Sequence, residues 1–145
     1  MSKLEEIIDS WKSDCNIDNT DLANESLKIP KLHAKYYEMY TRENLLLTKT
    51  EYEYRRLLKI KTEYYYGRLS DEELKEFGWQ QFDLKLMRQD LDVYLNADKD
   101  LIEVLLKVSL QKEKTEALKD IIKSLHSRPF IIKNCLDFLK WSSGV

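Results

Sequence analysis

The chain has 145 residues, 43% hydrophobic and 34% charged, with a net charge of −2. That suits one folded domain, or two small halves sharing a core; three glycines and two prolines leave few turns, which argues for long helices and against a many-stranded β fold. No apolar run approaches a membrane span and no signal-peptide pattern opens the chain, so Cys15 and Cys135 are expected to be reduced thiols in a reducing cytosol, native or host.

Leu4, Ile7, Ile8 and Trp11 recur at the spacing of a short amphipathic helix. A turn follows at Asn16 to Thr20, with Thr20 the expected N-cap of a long helix from about Asp21 to Tyr66. Pro30 is expected to kink or break that helix, and Gly67 to end it in the left-handed cap position. Ser70 and Glu73 form a capping box for a short acidic helix that stops near Gly78. Gln80 to Leu95 reads as another amphipathic stretch, with Phe82, Leu86 and Val93 as its apolar points. Asn96 is the expected cap of a further long helix, with Asp98 and Asp100 in its first turn. Leu101, Val104, Val108, Gln111, Thr115, Leu118, Ile122 and Leu125 make its seam, and the two polar members suit a register device. Arg128-Pro129 is expected to end this helix and start the last one. Phe130, Ile131, Ile132, Cys135, Leu136, Phe138, Leu139 and Trp141 spread over more than one stripe of that last helix. They require cover from the chain's own core or from other subunits.

No Gly-rich phosphate loop is present, and neither His33 nor His126 has ligand spacing around it. The two cysteines form no pair, and no nucleophile stands in a recognisable motif. No enzymatic activity, metal or cofactor is therefore expected.

Charge is segregated along the chain. Counting Lys and Arg against Asp and Glu, residues 1–48 sum to about −3, 49–68 to about +3, 69–106 to about −6 and 107–145 to about +4. The basic block 49–68 interleaves six cations with five tyrosines and three acids. Cations meet phosphates and aromatic faces stack on unpaired bases, so this block is the lead to a single-stranded nucleic acid. At 100° per residue, Tyr52, Arg55, Arg56, Lys59 and Tyr66 share one sector. Leu46, Tyr54, Leu57, Leu58, Tyr64 and Tyr65 lie largely opposite. Lys61 falls among this second set, where it either snorkels outward or faces a groove open to a phosphate. At least two of the tyrosines are better explained by packing than by stacking on bases.

Three stretches together resemble the UvsY family of phage recombination mediator proteins. They are Lys59-Ile60-Lys61 with Tyr64-Tyr65-Tyr66-Gly67-Arg68, then Leu95-Asn96-Ala97-Asp98-Lys99-Asp100, then Lys123 to Phe130 with Ile132-Lys133. The turn with Ile17-Asp18 and Thr20 matches as well. The resemblance implies a helical protein that binds single-stranded DNA without sequence preference. It also implies partners: a RecA-like recombinase of the UvsX type and the phage single-strand-binding protein. Hexameric or heptameric closed rings joined through the C-terminal part are implied, and no enzymatic activity. Lys59 and Lys61 align with the family's two basic DNA-contact positions; the second is arginine in the best-known member, so Lys61 lacks the planar fork. Pro129 replaces a glycine of the family motif. Residues 69–95 match poorly.

The expectation is an all-α chain of long helices, with a DNA-binding part at 1–95 and an oligomerisation part at 96–145. DNA contacts are placed at Lys59 and Lys61, with Arg55, Arg56, Arg68, Tyr64 and Tyr65. The oligomer interface is placed at Phe130, Ile131, Ile132, Cys135, Leu136, Phe138 and Leu139. The expected function is recombination mediation: helping the recombinase load onto strands coated by the single-strand-binding protein. One rival is an oligomeric helical scaffold that binds proteins and no DNA. Another is a small helical enzyme, which requires polar side chains converging in a pocket.

Overall fold

The computed structural model describes residues 3–144 and is helical, with no strand among them. The helices are α1 (Leu4–Asp14), α2 (Leu22–Tyr65), α3 (Asp71–Phe77), α4 (Arg88–Asn96) and α5 (Lys99–Ser142). Contacts divide the chain into two units. One joins the residues up to Leu46 with those from Gln111 onward; the other is Leu47–Leu110. The expected boundary at 95/96 falls inside the second unit.

In the first unit, α1 buries Ile7 in a core with Tyr36, Leu118, Ile121 and Leu125. Trp11 meets the Tyr36 ring edge-on at 5.5 Å. The Tyr36 hydroxyl donates to Asp14 at 2.7 Å, so burial and the Asp14 carboxylate both push its pKa up. Arg128 is 3% exposed and crosses this unit, donating to the Asp14 carbonyl, the Asn16 carbonyl and the Glu25 carboxylate. Gln111 donates to the Glu43 carboxylate at 2.6 Å and to its carbonyl at 2.7 Å. The polar interruption of the α5 seam thus has a buried partner on α2.

Both prolines lie inside continuous helices: Pro30 does not break α2, and the helix end expected at Arg128-Pro129 is absent. Each removes one N–H and leaves the carbonyl four residues earlier without its helical donor. Around Pro129, buried Leu125, Arg128 and Ile132 hold the helix on both sides of the defect. Thr20 is not the cap of α2. Its amide and hydroxyl both donate to Asp18 in a tight turn, and the helix begins at Leu22.

In the second unit, Gly67 and Gly78 take positive φ, of 70° and 72°, as the left-handed positions that stop α2 and α3 require. Ser70 and Glu73 close the capping box on α3. The stretch expected to be helical from Gln80 is helical only from Arg88. Phe82 is drawn instead into an aromatic cluster with Tyr64, Tyr65 and Tyr94, a tertiary contact that local periodicity does not register. Asn96 closes α4 rather than opening α5. The cap passes to Asp98, whose Oδ1 accepts the Leu101 N–H at 2.9 Å. Cys15 and Cys135 are free thiols. No helix of the described residues is long and apolar enough to cross a membrane.

Candidate nucleic-acid interface

Within the second unit, α2 presents an exposed line of Tyr52, Arg55, Arg56 and Lys59. Tyr52 is 60% exposed, and the Arg55 guanidinium lies 5.5 Å from its ring centre. Among the described residues no carboxylate pairs with Arg55, Arg56 or Lys59, so their charge is available to a ligand. Beyond the end of α2, Arg68 lies 4.8 Å from the Tyr66 ring centre and 3.7 Å from Glu63. Cations beside exposed aromatic rings can pair with phosphates while the rings meet bases.

The structure does not bring all seven expected DNA residues to this line. Lys61 is 4% exposed and points the other way. Its Nζ lies 2.7 Å from Asp100 Oδ2 and 3.1 Å from Asp98 Oδ2, over the Trp79 ring at 3.9 Å. It neither snorkels nor opens onto a groove. Tyr64 donates to the Gln80 carbonyl and stacks at an angle against Trp79. Tyr65 donates to Asp98 at 2.6 Å, and burial together with that carboxylate raises its pKa. Both tyrosines, expected among the DNA contacts, are half-buried packing groups in this structure. Sequence reasoning missed Trp79 and the pairing role of Asp98 and Asp100. The apolar sector around Lys61 was the available signal, because a cation there needs an acid from elsewhere in the chain.

At the other end of the chain, Phe130 is 70% exposed and Phe138 62%. Ile131, Leu136 and Leu139 are exposed too, and so is Trp141. Ile132 is buried within the chain itself and Cys135 half-buried, so these two stand apart from the other residues expected at an interface. No group of three or more His, Cys, Asp or Glu side chains is arranged to hold a metal among the described residues.

A model of the family described as the recombination, repair and ssDNA binding protein UvsY matches residues 10–145. The chain belongs to the UvsY family. Crystal structures of the recombination mediator protein UvsY of bacteriophage T4 share its fold. One lattice superposes with a TM-score of 0.85 at 22% identity, covering 99% of each chain. A second gives 0.84 at 22% identity, over 97% of this chain and 99% of that one. A third gives 0.81 at 21%, over 94% and 98%. A search of curated proteins finds no match.

Proposed function

We propose that this protein is a phage recombination mediator that binds single-stranded DNA without sequence preference. It helps a RecA-like recombinase of the UvsX type load onto strands coated by the phage single-strand-binding protein, in the host cytoplasm. The observation that carries the reading is the unpaired line Arg55, Arg56 and Lys59 with Tyr52 in a chain of the UvsY family. Arg68, beyond the end of α2, is a further exposed cation, 3.7 Å from Glu63.

The working form is a closed ring of six or seven copies. Its support is the exposed apolar end of α5, more surface than a lone soluble chain leaves bare. Many weak phosphate contacts around a ring add up, so affinity is collective. Bending the strand over the ring loosens its existing coat while the recombinase docks. The chain performs no chemistry in this process.

Fluorescence titration with oligo-dT and with mixed-sequence strands at several salt concentrations tests the reading. Binding is expected to both kinds of strand and to fall steeply with salt, as displaced counterions are released. No binding at low salt would favour the protein-only scaffold.

A further inference from the structure

Lys59 and Lys61 lie two positions apart on one helix, so their side chains leave it about 200° apart. Lys59 is exposed and Lys61 is buried. A strand lying along one face of α2 does not reach both ammonium groups. The Lys61 ammonium is held by Asp98 and Asp100, with Trp79 and Tyr64 rings beneath it. Two carboxylates outnumber its single charge, so a phosphate approaching it meets an excess of negative charge.

We infer that Lys61 is a positioning residue of the DNA-binding face, not a phosphate ligand, and that it acts by clamping the last turns of α2 to the start of α5. The inference rests on the single-strand reading above. Asp98 is the centre of the clamp: it accepts from Lys61, from the Tyr65 hydroxyl and from the Leu101 amide. Tyr64 ties the same turn to the Gln80 carbonyl. Lys59 lies just before the clamp and Tyr66 to Arg68 just after it. Without Lys61, Asp98 is left buried beside Asp100 with no cation and the end of α2 is seated for less of the time, so the flanking cations make the same contacts from a smaller population of competent molecules.

The test is a salt series of anisotropy titrations with labelled oligo-dT, on the intact protein, with oligomer mass and circular dichroism recorded for each variant. Lys61→Met is expected to weaken binding several-fold at every salt concentration and leave the slope of log K against log salt unchanged. Lys59→Ala is expected to reduce that slope by about 0.7, one phosphate contact on a single strand. The double variant Lys61→Met/Asp98→Asn lacks the ammonium but leaves no buried carboxylate uncompensated at position 98. It is expected to recover most of the affinity lost in Lys61→Met. A reduced slope in Lys61→Met overturns the inference, and so does an absence of recovery in the double variant. Asp100→Asn provides a second arm, because Asp100 is half exposed and Asp98 remains to pair with Lys61. Its affinity is expected to stay within about twofold of wild type; a several-fold gain, from a lysine released to a phosphate, also overturns the inference. Failure of the wild type to bind at low salt removes the functional reading and the inference with it. Wild-type binding with a reduced slope in Lys61→Met removes the inference alone.

Discussion

Asp98 accepts hydrogen bonds from three groups, two on the last turns of α2 and one in the first turn of α5, and its ionisation records that. Burial by itself raises its pKa; the bonds from Tyr65, the Leu101 amide and Lys61, with the Lys61 charge, outweigh this and hold it below the ordinary 3.8. Asp14 moves in the same direction: burial raises it, and the bonds from Lys35 and Tyr36 prevail. A carboxyl whose folded pKa is depressed contributes stability that is complete above its unfolded value and is lost as pH falls through the folded one. Urea unfolding is therefore expected to give constant contributions from these groups down to about pH 5 and a steep loss below about pH 4. Asp98→Asn should flatten part of that acid limb, and an equally steep limb in the variant would contradict it. At the same scale, replacing Arg55 and Arg56 together by Ala should lower the salt slope of single-strand binding by about 1.4 and leave the helix content unchanged. An unchanged slope would move the strand away from this line. Exposure of these three cations was legible in the sequence as a sector of the helix. The partners of Lys61 were not, because they lie 37 and 39 residues further along the chain.

On α2, Glu25 and Glu43 in the first unit and Lys61 in the second interrupt the helix's apolar positions. Each is buried and each meets a polar group from α5 or its cap: Arg128, Gln111 and Asp98. Within each unit such pairs penalise any other register, because a shift leaves buried Arg128, Glu43 or Lys61 without its side-chain partner, which is the best-attested use of buried polar contacts. Gln111→Leu should cost about 2 kcal/mol or more in urea unfolding, since it leaves the Glu43 carboxylate buried without its donor. Adding Glu43→Leu should return most of that loss; no return would mean that the pair does not act as a unit. The seam of α5 was legible from its three-four spacing, including its polar members. The continuity of α5 through Pro129 was not. Local propensity penalises a proline inside a helix by about 3 kcal/mol, and packing on both sides outweighs it.

At the scale of the molecule, the end of α5 is apolar and largely bare in one copy, and assembly is the proposed reason. Leu136→Asp or Phe138→Asp should place a charge in a desolvated contact at a cost of roughly 3 kcal/mol or more, giving monomers or small oligomers that keep their helices. Single-strand affinity should fall with oligomer mass although no DNA-facing residue has changed, because a single subunit offers too few contacts. Analytical ultracentrifugation paired with titration decides this, and a full-sized ring from either variant would move the interface elsewhere. A truncation that tests the same point has to fall after Ile132. Removing Arg128 would take from buried Glu25 its partner on α5, leaving it Lys28 of its own helix, and would confuse unfolding with disassembly.

Helix class, most helix ends, the apolar seam and the basic line of α2 were all determined by the sequence alone. Each depends on spacing within a few turns or on the backbone demands of single residues such as Gly67 and Gly78. Tertiary structure alone decided that Lys61 spends its charge on Asp98 and Asp100. It also decided that the stretch before Arg88 forgoes a helix to deliver Phe82 to the aromatic cluster, and that the caps fall to other residues than Thr20 and Asn96. These outcomes depend on partners distant in sequence, and burying an ion makes the nearest available counter-charge more decisive than any local preference.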